Sequence, residues 1–401
     1  MKKFEKCAMN IENSKWENSV KRERDLYLHT YGLSTIRTEF DRDYTRIINS
    51  NAYKRLKHKT QVFFSPNNDH ICTRIEHVNL VESVSYTIAS YLGLNTELTR
   101  AIAVAHDIGH SSFGHQGEKI LSNISERELG KTFWHEKNGV HVVDDIELLI
   151  DFENKKRNLD LTYAVRDGII SHCGEIDEDC LIPRNEAIDL KDYEKPNQYS
   201  PYTWEACVVK IADKISYIGR DIEDAKIMKL LTENEIKEID DLIKKIDINN
   251  SNIINYLTVD LCKNSSPDIG LKFSKDALEV MQLIKDFNYK KIYRNEKIQP
   301  TIRYFKVLMN EIFYCLKNEY DGENTIKNLK KLNRYYPNLS SEFVAWLSNY
   351  AETEDRDYNL YNNKIIYNLN NEKDYSQAIL DYIAGMTDQY IVQIYNEIVA
   401  F

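Results

Sequence analysis

The chain has 401 residues, a formal net charge of −10, 13 glycines and 7 prolines. The negative charge argues against a general nucleic-acid-binding protein, because such proteins present a basic surface to the phosphate backbone. The seven cysteines form no CxxC pair, so we expect reduced thiols. The apolar stretches are too short to span a membrane and no signal peptide is visible, so we expect no membrane partner and a cytoplasmic location.

Because glycine and proline are sparse, the expected fold class is all-α, with helices joined by few tight turns. The length is large for a single hydrophobic core. We predict an N-terminal arm over residues 1–39, a central core over 40–230 and a C-terminal helical lobe over 231–401. Within the core, residues 125–200 resemble an insertion that serves as a lid or a subunit contact.

The first informative element is a predicted helix pair that contains two histidines. From His77 onward, apolar residues recur at helical spacing, and Asn95 is a candidate N-cap for a second helix. That helix ends with His106 and Asp107, just before Gly109. At ~1.5 Å per residue the two helices have similar lengths of about 22 and 18 Å, so an antiparallel pair would bring His77 and His106 together.

This arrangement is typical of a metal site, since neutral imidazoles and a carboxylate hold a divalent ion and leave coordination positions open. The alternative is that each histidine is an ordinary hydrogen-bonded residue at a helix end. The spacing favours the metal.

A third predicted helix, over residues 204–225, offers a further ligand. Its apolar stripe consists of Ile211, Ile215, Ile218 and Ile222. Asp213 lies within an apolar run, where an unpaired carboxylate would be costly and a metal would supply the missing partner. The alternative is a solvent-facing helix, which would also carry polar residues opposite the stripe.

Taken together, His77, His106-Asp107 and Asp213 match the H…HD…D pattern, and the chain resembles the HD superfamily of metal-dependent phosphohydrolases. Within that superfamily it is similar to the dGTPase-like deoxynucleoside triphosphate (dNTP) triphosphohydrolases. The blocks that carry the resemblance run in family order along nearly the whole chain: Phe40–Ile47, Ala52–Val62, His106–Glu118, Asp213–Ala225 and Asp381–Asp388.

The resemblance implies an HD-type helical core with one divalent metal ion per subunit, which is Mn, Fe or Mg, with Zn also open. The implied ligands are His77, His106, Asp107 and Asp213. His115 and Glu118 match the catalytic pair of the family, in which the carboxylate fixes the tautomer of the imidazole and raises its basicity. The other two catalytic-site residues that the resemblance implies line the path of the phosphates: His110 and His135.

The resemblance also implies the residues that hold the substrate. Three match residues that bind the phosphates: Arg74, Lys214 and Tyr217. Gln61 and Asp221 match the pair that hydrogen-bonds the 3′-hydroxyl of the deoxyribose. The chain departs from the family pattern at four positions, with Val78 in place of serine, Ser111 and Ser112 in place of two prolines, and Arg220 in place of histidine.

The implied activity is hydrolysis of dGTP, and of other dNTPs, to the deoxynucleoside and inorganic triphosphate. The implied assembly is a homo-oligomer, a tetramer or a hexamer, with a nucleotide effector and weak binding of single-stranded DNA left open. Two alternatives remain. One is an HD phosphohydrolase that acts on another nucleotide phosphoester, against which Gln61 and Asp221 speak. The other is a catalytically silent nucleic-acid-binding or regulatory HD protein, against which His115 and Glu118 speak.

Overall fold

The computed structural model of the protein describes residues 2–24, 36–64, 68–173, 180–243 and 249–400. Within these ranges the chain is predominantly helical, which confirms the all-α prediction. None of the described helices has both the length and the apolar character needed to cross a bilayer.

The described residues form seventeen α-helices: α1 (Trp16–Ser19), α2 (Glu39–Asn49), α3 (Asn51–Arg55), α4 (Arg74–Leu92), α5 (Thr96–Ala105), α6 (Gly114–Leu129), α7 (His135–His141), α8 (Tyr163–Ser171), α9 (Trp204–Ile227), α10 (Glu233–Leu242), α11 (Asn250–Asn264), α12 (Lys275–Phe287), α13 (Gln299–Lys317), α14 (Thr325–Leu332), α15 (Pro337–Leu347), α16 (Glu372–Gly385) and α17 (Asp388–Val399). Single 3-10 turns lie at Glu5–Cys7, Leu56–His58, Leu190–Asp192, Glu296–Ile298 and Gly322–Asn324. Short π-helical segments extend α7 (Val142–Ile146) and α12 (Asn288–Tyr293).

One small hairpin interrupts the helices of the described chain. Strands β1 (Leu148–Ile150) and β2 (Lys156–Asn158) pair antiparallel, with Leu148 opposite Asn158. Asp151 stabilises the turn between them, because its Oδ1 accepts hydrogen bonds from the backbone N–H groups of Glu153 and Lys155, both at 2.9 Å.

The chain forms two compact units, and neither is a continuous segment. Unit 1 consists of residues 1–48, 68–107 and 160–299, and unit 2 consists of residues 49–67, 108–159 and 300–401. The chain therefore passes between the units five times. The domain boundaries at 39/40 and 230/231 stay a prediction.

In unit 1, helix α4 packs against α5 and α9. The chain between α4 and α5 is short because Gly93 ends α4 in the left-handed region, with φ 90°. The side chain of Asn95 then accepts hydrogen bonds from the backbone N–H groups of Glu97 and Leu98, both at 3.0 Å, and so caps α5 as predicted. The apolar stripe predicted on α9 is buried, at 2% exposure or less: Ile211, Ile215, Ile218 and Ile222.

In unit 2, helix α6 packs against α16, and aromatic residues fill the core around them. The ring of Phe113, directly before α6, stacks on that of Phe305 with centroids 3.9 Å apart. The start of α7 lies close to the backbone at Gly109, where an added Cβ would come within 2.2 Å of both His135 O and Gly139 N. Glycine at this position therefore allows α7 to approach the turn that leads into α6.

Candidate active site

Unit 1 brings together three of the four predicted metal ligands at hydrogen-bonding or near-contact distances. His77, near the start of α4, places its Nε2 3.0 Å from Asp213 Oδ1 on α9. His106 caps the C-terminal end of α5, and its Nε2 lies 3.9 Å from the same Asp213 oxygen. One ligand atom from each of these side chains lies within 4.8 Å of the other two.

Asp107, the fourth predicted ligand, lies beside this group. Its Oδ1 lies 3.7 Å from His106 Nε2, and its Oδ2 lies 3.9 Å from His77 Nε2. Ligand atoms about 2.1 Å from a metal ion lie roughly 3 Å apart when adjacent and about 4 Å apart when opposite. The distances among His77, His106 and Asp213 fit these values, so these three residues could hold one divalent ion, and Asp107 lies beside them.

His106 supplies a second observation that fits a metal ion. Its Nδ1 lies 2.7 Å from Ala103 O, and a carbonyl only accepts, so Nδ1 carries the proton and the Nε2 lone pair points toward the carboxylates. The side chain is completely buried and its Nε2 has no hydrogen-bond partner. A buried polar atom without a partner is rare and costly, and metal ligation would satisfy it.

The charges of the cluster also favour a cation. Burial opposes ionisation of Asp213, but its hydrogen bond to His77 outweighs burial and lowers the pKa of this carboxyl. For His77, burial favours the neutral ring, and the same hydrogen bond outweighs it and raises the pKa of the imidazole. Asp213 is therefore an anion paired with the imidazole of His77, and a bound metal ion would take the place of the proton that the two share.

Arg74, predicted to bind phosphate, makes a contact that the sequence did not indicate. It is the first residue of α4 and only 1% exposed, and its Nη1 donates to Asp107 Oδ2 at 2.6 Å. The guanidinium thus holds one carboxylate oxygen of the predicted ligand Asp107.

His172 was not predicted to belong to the site, yet it lies beside it. This buried residue follows α8, and its ring packs edge-to-face against His106 with centroids 5.0 Å apart. Its Nδ1 lies 2.7 Å from Ile169 O, the same i, i−3 contact that His106 makes. The sequence carries no local signal for this placement, because His172 lies 66 positions after His106 in the chain.

Unit 2 contains the second cluster, formed by the predicted residues His110, His115, Glu118 and His135. Glu118 Oε2 lies 3.0 Å from His135 Nδ1 and 3.5 Å from His115 Nδ1. The rings of His110 and His135 stack with centroids 3.8 Å apart. We call these four residues the His–Glu cluster.

The members of the His–Glu cluster differ in exposure. The side chain of His115 is 63% exposed, whereas that of His135 is 4% exposed. Burial opposes ionisation of Glu118, but the nearby His135 and the hydrogen bonds from His115 and His135 outweigh it and lower the pKa of this carboxyl well below its usual range. Glu118 is therefore an anion near neutral pH, and it contacts one exposed imidazole and one buried imidazole.

Three predicted substrate residues lie on α9 in unit 1: Lys214, Tyr217 and Asp221. Lys214 is buried and Tyr217 is half-buried. Asp221 is 2% exposed and accepts a hydrogen bond from the hydroxyl of Tyr293, while its Oδ1 has no partner. Burial, together with the repulsion from Asp224, raises the pKa of Asp221 to about 7. Tyr293 was not predicted, because nothing in the sequence links the two segments.

The remaining predicted substrate residue, Gln61, lies in unit 2 just after the 3-10 turn Leu56–His58 and is 9% exposed. Its pairing with Asp221 on a sugar hydroxyl stays a prediction.

Comparison with protein families assigns the class. The HD domain model matches residues 74–218, a range that includes all four predicted metal ligands, and the phosphohydrolase-associated domain model matches residues 337–397. The chain is therefore an HD-domain protein with the all-α architecture of that class.

Curated relatives narrow the class to a family. The deoxyguanosinetriphosphate triphosphohydrolase-like protein of Caldanaerobacter subterraneus subsp. tengcongensis is 32% identical over 363 residues, which cover 90% of this chain and 85% of the relative. The proteins of the same description from Clostridium tetani and Rickettsia bellii are 32% and 31% identical, and they too align with at least 90% of this chain. The chain belongs to the deoxyguanosinetriphosphate triphosphohydrolase-like family of HD-domain phosphohydrolases, which confirms the resemblance drawn from its motifs.

Proposed function

We propose that the protein is a metal-dependent dNTP triphosphohydrolase that converts dGTP, and other dNTPs, to the deoxynucleoside and inorganic triphosphate. The observation that carries the proposal is the convergence of His77, His106 and Asp213 in unit 1 on distances that suit one divalent ion, with Asp107 beside them. The relatives described as deoxyguanosinetriphosphate triphosphohydrolase-like support the choice of substrate.

The metal ligands in this proposal are the four converging side chains. A bound Mn, Fe, Mg or Zn ion would act there as a Lewis acid that polarises a phosphoryl oxygen. The mixed nitrogen and oxygen ligands, without a thiolate, suit each of these metals. Arg74 holds Asp107 through a charge-assisted hydrogen bond, so it fixes the orientation of this carboxylate.

In the proposed reaction, His115 is the group that orients and deprotonates the attacking water. Its exposed ring can reach a substrate in solution, and its Nδ1 faces Glu118, which leaves Nε2 available to accept a proton. His110 and His135 would line the phosphate path. Attack on the α-phosphorus opposite the 5′-oxygen would release the deoxynucleoside and triphosphate in one step.

The substrate is held in this proposal by cations and hydroxyl groups on α4 and α9. Lys214, Tyr217 and Arg74 would bind the phosphates, and Asp221 with Gln61 would bind the 3′-hydroxyl of the sugar. A buried 2′-hydroxyl without a partner would cost about 1–3 kcal/mol. We therefore expect the enzyme to prefer dGTP to GTP by roughly tenfold or more, which corresponds to about 1.4 kcal/mol.

The test is a screen of the four dNTPs and the four NTPs with Mn, Mg and Fe, in which chromatography resolves the products. The proposal predicts deoxynucleoside and inorganic triphosphate in equal amounts. Deoxynucleoside monophosphate and pyrophosphate would overturn the assigned chemistry, and equal turnover of GTP and dGTP would overturn the sugar discrimination.

Other parts of the proposal rest on the family resemblance alone. They are assembly into a tetramer or hexamer, a nucleotide effector and weak binding of single-stranded DNA, whereas the cytoplasmic location stays an expectation from the sequence. All four stay predictions.

A further inference from the structure

The turn that leads into α6, residues 110–114, has a strained backbone. Phe113 has φ 60° and Gly114 has φ 57°, so two consecutive residues lie in the left-handed region. Glycine adopts this region freely, but a residue with a bulky side chain such as Phe113 does not. The turn also packs tightly, because a Cβ added at Gly117 would come within 1.8 Å of Ser112 O. Such a conformation persists only where the surrounding structure holds it.

This turn sets the geometry of the His–Glu cluster within unit 2. It contains His110, and α6 carries His115 and Glu118 in its first two turns. A change in the backbone at Phe113 would therefore rotate the start of α6 and move both members of the proposed catalytic pair.

Three contacts from one short segment hold the turn. The segment is residues 384–388, where α16 ends and α17 begins. Ser112 Oγ donates to Met386 O at 2.5 Å, and the backbone N–H of Phe113 donates to Asp388 Oδ1 at 2.9 Å. Lys59 Nζ joins the segment to the turn, since it donates to Ala384 O at 2.8 Å and to His110 O at 2.5 Å.

Asp388 is the central residue of this arrangement. It is 3% exposed, and each of its carboxylate oxygens accepts a backbone hydrogen bond, Oδ1 from Phe113 and Oδ2 from Thr60 at 2.8 Å. An amide in its place would offer only one acceptor and would turn an NH2 group toward the other N–H. The two acceptor positions thus require a carboxylate.

We propose that Asp388 is a positioning residue for the His–Glu cluster, which acts by holding the strained Phe113–Gly114 turn. The inference rests on the proposed function for its catalytic consequence. It assigns to the C-terminal segment 384–388 a role in placing His110, His115 and Glu118, although this segment touches neither substrate nor metal in the proposed reaction.

The test compares Asp388→Asn with Asp374→Asn in the full-length protein. Asp374 is the matched control, because it also accepts a backbone hydrogen bond, from Asn368 at 3.1 Å, and has no contact with the turn. Hydrogen–deuterium exchange is measured first, on peptides that span residues 108–120. We expect exchange there to be at least about tenfold faster in Asp388→Asn, because the free energy of local opening is lower and the amide hydrogens are less protected. In Asp374→Asn we expect exchange to be unchanged.

The kinetic readout separates positioning from general destabilisation. In Asp388→Asn we expect kcat for dGTP to fall about 10- to 100-fold with little change in KM and with wild-type metal content, because a small misplacement of a catalytic group costs this much. In a His115→Ala background the same substitution should lower the residual rate several-fold less than it does in the wild type, because the proposed acid–base group that the turn places is already gone. An undiminished loss in that background would overturn the inference.

A second variant covers the case in which Asp388→Asn does not fold. Ser112→Ala removes only the hydrogen bond to Met386 O and should show the same effects at smaller size. Wild-type exchange rates over 108–120 in every variant that folds would overturn the inference even for an active triphosphohydrolase. A wild-type protein that fails to hydrolyse dNTPs would instead overturn the proposed function, and the exchange comparison would still decide whether Asp388 holds the turn.

Discussion

At the residue scale, one carboxylate oxygen is shared by two imidazoles of different exposure. Glu118 Oε2 contacts both the exposed His115 and the buried His135. The buried ring of His135 also stacks on that of His110, and this packing fixes its orientation. The exposed ring is the one that can exchange protons with a substrate-bound water, which is why we assign the acid–base role to His115.

The first prediction concerns this ring. His115→Ala should lower kcat by ~10²–10⁴-fold, the usual contribution of a general acid–base group, while KM changes little because the proposed phosphate-binding residues remain. Steady-state kinetics with dGTP measures both quantities. The control is His58→Ala, which alters an exposed histidine in the 3-10 turn Leu56–His58 and should retain wild-type kinetics. A His115→Ala enzyme as active as that control contradicts the assignment.

The second prediction concerns the metal. Asp213→Ala should lower the metal content of the purified protein severalfold and abolish activity, because it removes a carboxylate oxygen that lies within 3.9 Å of both His77 Nε2 and His106 Nε2. Elemental analysis and activity are measured on the same sample. Asp240→Ala, which alters an exposed carboxylate on α10, is the matched control. Full wild-type activity after complete removal of metal would contradict the proposal that the enzyme needs a metal ion.

Much of the metal-ligand cluster in unit 1 could be predicted from the sequence. Two of its members fall on neighbouring predicted helices of similar length, and a third falls on an amphipathic helix. His77, His106 and Asp213 do converge. The contacts of Arg74 with Asp107 and of Tyr293 with Asp221 could not be predicted. They join segments 33 and 72 residues apart, and no local periodicity encodes which side chains meet across such distances.

At the element scale, the helices and their caps follow from local rules, and the exceptions have physical causes. The cap at Asn95 was predicted because short polar side chains satisfy the first N–H groups of a helix. The predicted end of α5 was two residues too late, since the helix stops at Ala105 and His106 caps it. The left-handed backbone at Phe113 carries no sequence signal, because only glycine or asparagine would indicate it. The hairpin β1–β2 is too short to show a clear alternation.

The third prediction concerns the junction of α7 with α16 in unit 2, where two carboxylates enclose His141. Its Nδ1 lies 2.9 Å from Asp145 Oδ2 and its Nε2 lies 3.0 Å from Asp381 Oδ2. Burial favours the neutral ring, but Asp381 and Asp145 outweigh it and raise the pKa of His141 to about 10. Tyr367 donates to the same Asp381 oxygen, and Lys364 Nζ lies 4.0 Å from Asp145.

Because the pKa of His141 is raised on folding, its contribution to stability is full below pH 6.5 and is lost as the pH rises toward about 10. The free energy of unfolding, measured with urea between pH 6 and pH 10, should therefore fall more steeply in the wild type than in His141→Gln. Burial and the nearby Asp381 keep the pKa of Tyr367 well above its usual value, so this residue does not titrate in the same window. The control is His58→Gln, and identical pH dependence in all three proteins contradicts the prediction.

At the scale of the whole molecule, the family resemblance predicts assembly. Light scattering coupled to size exclusion should give a mass four or six times that of one chain, in the presence of metal and dGTP. The described surface carries large apolar side chains that an interface would cover, among them Tyr91, Tyr335 and Tyr358. A monomer with full activity contradicts this prediction.

Because the chain alternates between the two units, a truncated protein would lose parts of one unit or of both. The segment matched by the HD domain model, 74–218, begins in unit 1, enters unit 2 at Ile108 and returns at Asp160. Expressed alone, it would lack residues 300–401 of unit 2, including the carboxylates of Asp381 and Asp388. A stop codon before residue 337 should therefore yield insoluble protein and not a smaller working enzyme. Split-protein or fusion designs would do better to keep all 401 residues and to open the chain at an exposed surface turn.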